Sequence, residues 1–300
     1  MKLEKCIEKF LNHCQVEKNL SDKSIKAYKI DLNAFEKFMK KDKICDIDKN
    51  DIKDYLNYLY NNSYKVKTIK RKIVSVKALF NFAEFEDIIL QNPFRKVKIN
   101  LKEEKKLPKV LTLTQVKKIF ECLKNSEKVD KLYKRNLLII ELLLLSGMRV
   151  FELCNIKVEM IDFDDRLILI DGKGRKQRKI YISNDATLQL LKDVVKIFEI
   201  KKGYVFLNRS NKPITDQTVR NVVKNICKEC IGLDNITPHI FRHTFATVLI
   251  NDGVDIRHIQ FLLGHSSITT TQIYTQMDDS VCKKIVMQNP INEMLSKTIS

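Results

Sequence analysis

Two imidazoles, a guanidinium and a phenol fall close together near the C-terminus of this 300-residue chain, which holds only five histidines. Thr237-Pro238-His239-Ile240-Phe241-Arg242-His243 is followed by Leu262-Leu263-Gly264-His265-Ser266, and Tyr274 comes nine residues after His265. These are the groups needed for a tyrosine oxygen to attack a phosphodiester. The transition state at phosphorus is trigonal-bipyramidal and strongly anionic, and guanidinium and imidazole N–H groups are the donors suited to its non-bridging oxygens. A covalent phosphotyrosine stores the bond energy, so rejoining needs neither ATP nor a metal. Upstream, Ser146-Gly147-Met148-Arg149-Val150-Phe151-Glu152 adds a second arginine, with Glu152 spaced to hold its guanidinium. Asp171-Gly172-Lys173-Gly174 adds a flexible ammonium suited to protonating a leaving 5′ oxygen.

Each motif has a plainer reading. Gly172-Lys173-Gly174 lacks the spacing of a phosphate-binding P-loop and alone is a glycine turn with a solvated lysine. His239 and His243 stand four apart, as in a zinc protease helix, but Ile240 replaces the catalytic glutamate and Arg242 sets a fixed positive charge beside any ion. No metal or other cofactor is expected. His243, beside Phe245 and Ala246, reads as a core histidine. His239 does not, because Pro238 puts it in the first turn of a helix, where backbone N–H groups and the dipole favour a phosphate. Arg242 follows one turn later. His265 is preferred over His258, which sits among Arg257 and Gln260 on a surface face, and Tyr274 is distinguished from the other tyrosines only by its surroundings.

The elements that must position these residues divide into two groups. The first hundred residues contain no glycine and one proline, Pro93, and read as a four-helix domain over residues 1–94. Leu3, Ile7, Phe10 and Cys14 form one apolar stripe. Ser21 caps a second helix through Met39, a third covers Lys49–Tyr60, and a fourth covers Val66–Phe85. Lys67, Lys70, Arg71 and Lys77 give that fourth helix a basic face. Residues 95–108 are charge-dense without periodicity and read as a linker. Residues 109–300 read as an α+β domain. Helices are expected over Thr114–Leu123 and Arg135–Ser146, alternating strands over Ile161–Ile170 and Arg178–Ile182, with Lys173 on their hairpin tip, and helices over about 185–198, 215–231, 239–252 and 255–263. Asp278–Ser300 reads as a short helix ended by Pro290, then a tail. Its apolar residues Val281, Ile285 and Val286 suggest contact with a neighbouring protomer.

The formal charge of +18 points to a polyanionic partner, and both parts share it: residues 1–108 carry 25 Lys+Arg against 16 Asp+Glu, the rest 30 against 21. The Cys227/Cys230 pair lies in an apolar-periodic helix with no second pair at zinc-finger spacing, and both read as core and boundary residues. The longest apolar run, Leu137–Leu145, is too short for a membrane span, and no signal segment opens the chain, so a cytoplasmic setting is expected.

Taken together, the residues resemble the tyrosine recombinases, the integrase and Xer family. Ser21-x-x-Ser24-x-x-x-Tyr28-x-x-Asp31-Leu32-x-x-Phe35, the stretch Lys67-Thr68 through Arg71 to Phe80, and Leu107-Pro108-Lys109-Val110-Leu111-Thr112 are similar to segments of those enzymes, so the likeness spans the whole chain. It implies a mainly α protein, with a helical SAM-like core-binding domain and an α+β catalytic domain carrying a small antiparallel sheet. It implies Arg149, Lys173, His239, Arg242, His265 and the nucleophile Tyr274 as catalytic residues. It further implies cutting of double-stranded DNA through a 3′-phosphotyrosine, by a homotetramer, or a heterotetramer with a related recombinase, on two sites. With the first helix beginning near residue 3, no room is left for an arm-binding domain, which favours Xer-like resolution of chromosome or plasmid dimers. A short mobile-element integrase and a type IB topoisomerase are the alternatives.

Overall fold

The computed structural model describes residues 1–101, 109–125, 130–171, 177–264 and 279–299. The protein is mainly α-helical with one small antiparallel sheet, and the chain divides into two units, Met1–Lys106 and Leu107–Ser300.

The first unit is built from α1 (Leu3–Val16), α2 (Asp22–Phe38), α3 (Lys49–Asn61) and α4 (Val66–Phe85). Each buries one stripe: Leu3, Ile7 and Phe10 from α1, Leu32 and Phe35 from α2, Tyr55 and Leu59 from α3, Ile69, Val76 and Phe80 from α4. Local chemistry fixes the helix starts. Ser21 accepts from the Ser24 N–H at 3.4 Å, and Asp48 and Asp51 form a reciprocal capping box. Pro93–Lys96 forms a 3-10 turn that runs into the stretch read as linker, where Val97, Ile99 and Leu101 pack against the core of this unit.

The second unit surrounds α6 (Lys131–Ser146), buried along most of its length, as a helix apolar on nearly every side requires. Around it lie α5 (Leu113–Lys124), α7 (Val150–Cys154), α8 (Asp185–Ile197), α9 (Asp216–Ile231), α10 (Pro238–Asn251), α11 (Ile256–Leu263), α12 (Asp279–Met287) and α13 (Pro290–Ile299). Within α6 the buried Glu141 accepts from the Thr187 hydroxyl at 2.7 Å, and burial pushes its carboxyl up to about 7. The sheet runs β1 (Ile161–Asp162), β2 (Leu167–Asp171), β3 (Gln177–Tyr181), antiparallel throughout, with Ile168 opposite Ile180.

Three expectations are corrected. The single strand foreseen over Ile161–Ile170 is two strands, separated by a turn in which Arg166 takes φ 56°. Pro290 does not end a helix; it opens α13, with the Asn289 side chain accepting from the Ile291 N–H at 2.9 Å. That last helix packs on α5, α6 and α10 of its own chain, burying Ile291 and Leu295, while Val286 is buried beneath α10 and α11. Of the apolar residues offered to a neighbour, Val286 is buried in cis, Ile285 is half-buried and Val281 is exposed. Finally, Cys227 is a core residue, but Cys230 is disulfide-bonded to Cys122 with the Cα atoms 5.6 Å apart, joining α9 to α5.

Candidate active site

The site forms where α6, α10 and α11 end or begin. Helix α6 terminates at Gly147, in the left-handed region at φ 59°; a Cβ there would lie 2.6 Å from Phe245 Cδ1 and 2.8 Å from Leu263 Cδ2. Only glycine fits. The released Gly147 carbonyl accepts from Arg242 Nη1 at 2.7 Å, and the Leu263 carbonyl at the end of α11 accepts from Nη2 at 2.6 Å. Arg242 is thus locked between two helix C-termini, whose partial negative charge suits a cation.

Arg149, just before α7, is held from two sides. Its Nη1 donates to Glu152 Oε1 at 2.7 Å and its Nη2 to the Gly264 carbonyl at 2.7 Å. The other Glu152 oxygen accepts from the Arg149 backbone N–H at 2.7 Å and from Arg178 Nη2 at 2.8 Å. Arg178, from β3, also donates to the Leu262 carbonyl. Burial alone would raise the Glu152 carboxyl, but Arg178, the Arg149 backbone N–H and both guanidiniums hold it below the ordinary glutamate range.

Two guanidiniums, those of Arg149 and Arg178, therefore share one carboxylate. Arg242 is buried and pairs with no carboxylate among the described residues. Burial first, then repulsion by Arg149 and Arg178, pulls its pKa down to about 9. Burial likewise outweighs Glu152 at Arg178. A site that disfavours its own cations to this degree favours an anion that neutralises them.

His239 stands at the exposed start of α10, directly after Pro238. Desolvation, then the positive charges of Arg220, His243, Arg242 and Arg149, lower its pKa, so the neutral imidazole is favoured. His243 corrects an expectation: it is exposed, one turn beyond His239 on the same side of α10, and is not a core histidine. Lys173, His265 and Tyr274 lie outside the described residues.

Sequence reasoning missed Arg178 and Arg220. For Arg178 a signal existed. It alternates with Ile180 and Ile182, both buried, so a cation occupies the inward face of a strand, where only an ion pair keeps it. Arg220, on α9, becomes relevant only because that helix packs beside α10.

The phage integrase family model matches residues 109–280, and the model for the N-terminal SAM-like domain of phage integrases matches residues 7–87. The chain belongs to the phage integrase family. Among curated relatives, a tyrosine recombinase of Agathobacter rectalis is 41% identical, covering 95% of this chain and 96% of its own. A tyrosine recombinase XerC of Bacillus pumilus is 33% identical at the same coverage of both chains, 95% and 96%. Among solved structures, a XerH site-specific recombinase bound to its difH substrate superposes with a TM-score of 0.68 at 26% identity, covering 93% of this chain and 82% of that one. Like other tyrosine recombinases, this member of the phage integrase family is an enzyme that cleaves and rejoins DNA strands.

On the first unit, Lys67, Arg71 and Lys77 are exposed on α4 and Lys70 is half-buried. Arg71 is not free: its Nη1 lies 2.5 Å from Oδ2 of the fully buried Asp31 of α2.

Proposed function

We propose that the protein is a site-specific recombinase of the Xer type, which resolves joined chromosome or plasmid copies in the cytoplasm. The observation that carries this reading is the cationic cluster. Arg149 and Arg178 share one carboxylate, Glu152, and Arg242 beside them is fixed by carbonyls alone. The resemblance to XerC relatives over nearly the whole chain supports the Xer assignment.

In this mechanism a backbone phosphate of duplex DNA sits on Arg149 and Arg242. The Tyr274 oxygen attacks phosphorus, with His239 taking its proton or donating to a non-bridging oxygen. The bond to the 5′ oxygen breaks, Lys173 gives that oxygen a proton, and a 3′-phosphotyrosine remains. His265 donates to the same phosphate. The 5′ hydroxyl of a second duplex then attacks, its proton returns to the enzyme, and tyrosine leaves. The positive cluster neutralises charge as it builds, and because its geometry is preset by the helix ends, no reorganisation is required at the moment of reaction. Exchange between two sites calls for four protomers.

A paired-site assay tests this reading. Two copies of the enzyme's own flanking DNA, mapped by footprinting, are placed as direct repeats on a plasmid, and the expected product is two smaller circles. Relaxation of the plasmid without resolution would identify a topoisomerase instead.

A further inference from the structure

The bond between Cys122 of α5 and Cys230 of α9 takes no part in strand cleavage, yet it braces the elements that present the site. Helix α9 packs on α7, which follows Arg149, and on α10, which carries His239 and Arg242. The segment entering α5 is tied to α10 as well, since the Leu111 N–H donates to the Thr244 hydroxyl at 2.9 Å. With the cysteine bridge closed, α5, α9 and α10 form a frame fastened at both ends of α5. Cys227, one turn before Cys230, is buried, and burial pushes its thiol up to about 12. It stays protonated and does not compete for the bond.

Cys122 and Cys230 are half-buried and line a cleft of about 470 Å³, in the size range of small-molecule sites. Two arginines line it with them. Arg135, at the start of α6, is only 5% exposed; its Nη1 donates to the Leu207 carbonyl at 2.7 Å, and its Nε and Nη2 donate to Asn136 Oδ1 at 3.1 and 2.6 Å. Arg209 is exposed. Neither arginine is ion-paired with a carboxylate among the described residues. Burial first, then repulsion by Arg209, lowers the Arg135 guanidinium below its ordinary range, and Asp130 opposes this. Asp130 and Glu229 also line the cleft, but Asp130 is engaged in capping α6, accepting from the Tyr133 N–H at 2.7 Å. A buried guanidinium held only by neutral oxygens favours an anion beside it.

We propose that this cleft binds a small anionic thiol, and its disulfide, for exchange with the Cys122–Cys230 bond. The two arginines hold the anionic end while the sulfur attacks. One thiolate displaces a cysteine, which leaves as a thiolate and takes a proton, and a mixed disulfide with the other cysteine remains. A second thiolate breaks that bond; the ligand departs as its own disulfide and both cysteines are thiols. Two electrons have passed to the protein, and the ligand's disulfide reverses the sequence. Opening the bond releases α9 from α5 and loosens the frame behind His239 and Arg149, so DNA cleavage slows. In the cytoplasmic setting proposed above, such a bond is transient and redox-responsive. Only that biological role rests on the setting; the exchange does not.

The test uses the full chain, with the exposed Cys45 changed to serine so that it cannot exchange. Equilibrated with 2-mercaptoethanesulfonate and its disulfide, the protein should form the Cys122–Cys230 bond, read by peptide mapping. The bonded form should melt roughly 4–20 °C above the dithiol form. At equal thiolate concentration, 2-mercaptoethanesulfonate should reduce the bond faster than neutral 2-mercaptoethanol. Arg209→Gln should slow the sulfonate roughly two- to fivefold and leave the neutral thiol unchanged. Single-turnover cleavage at saturating DNA should be roughly ten- to 100-fold slower for the dithiol form, the cost of misplacing a positioned group by up to an ångström. Cys122→Ser should show that slow rate at every thiol-to-disulfide ratio. If no bond forms, or if the bonded and dithiol forms of the same protein cleave alike, the redox brace is refuted. Equal reduction by the two thiols, unaltered by Arg209→Gln, would refute the anion site.

Discussion

Replacing Glu152 with glutamine removes the one negative charge among three guanidiniums while keeping size and shape. In the structure both carboxylate oxygens are occupied, by Arg149 at 2.7 Å and by Arg178 at 2.8 Å, and Arg178 is only 9% exposed. Removing one partner of such a buried pair costs about 3–5 kcal/mol, because the remaining charge stays buried without compensation. Arg149, at 34% exposure, loses less because solvent screens it. The expected loss is therefore near 3 kcal/mol, read as a lower urea midpoint at unchanged slope. The pH dependence carries a sign. The Glu152 carboxyl is lowered in the folded state, so its stabilisation is present above the unfolded value of about 4.3 and is lost as pH falls below it. Wild type and Glu152→Gln should thus differ by a constant amount above pH ~5 and converge below pH ~4. Single-turnover cleavage should fall as well, since Arg149 loses the group that orients it. A variant of wild-type stability and cleavage rate would refute the idea that one carboxylate organises the cluster.

Three further outcomes follow from other parts of the catalytic unit. Gly147→Ala meets Phe245 and Leu263 at a positive φ, and should lose about 2–4 kcal/mol in chemical denaturation along with cleavage, because the carbonyl that holds Arg242 moves with it. Glu141 is raised to about 7, so its folded state binds the proton more tightly; stability present below pH ~4.3 should decline as pH rises through about 7. Glu141→Gln should therefore be more stable than wild type at pH 8 and lack that decline in a pH series of thermal melts. Ile291→Ala, at a fully buried position of α13, should lower stability by about 2–5 kcal/mol. With α13 packed in cis, the shift in Tm should be the same across protein concentrations; dependence on concentration would mean that the helix is held by a neighbour.

Much of this architecture is legible in the sequence, and the reasons for the rest are physical. Long amphipathic helices with polar starts announce themselves: Val66–Phe85 has the bounds expected from its stripe, and Ser21 and Thr112 cap the helices that follow them. The Gly147 turn and the Pro238 helix start are similarly local. What escapes is set by distant packing. Cys122 and Cys230 are 108 residues apart, and nothing in their surroundings pairs them. Pro290 fits both a helix stop and a first helical position, and Asn289 before it decides for the latter. His243 lies within an apolar-looking helix whose buried side is set by α6 and α11, leaving that histidine outside. Arg71 reads as one of four equivalent cations until Asp31, forty residues earlier, is seen beneath it.

In the proposed mechanism a tyrosine oxygen held at this cationic cluster becomes covalently joined to DNA. A nicked suicide duplex carrying the footprinted site, incubated with enzyme in EDTA, traps the intermediate because the cleaved 5′ fragment diffuses away. Wild type should give a protein–DNA adduct stable to denaturant, with Tyr274 as the modified residue by peptide mapping; Tyr274→Phe should bind the duplex with wild-type affinity and give none. An adduct formed by Tyr274→Phe, or one that requires a divalent metal, would contradict the claim.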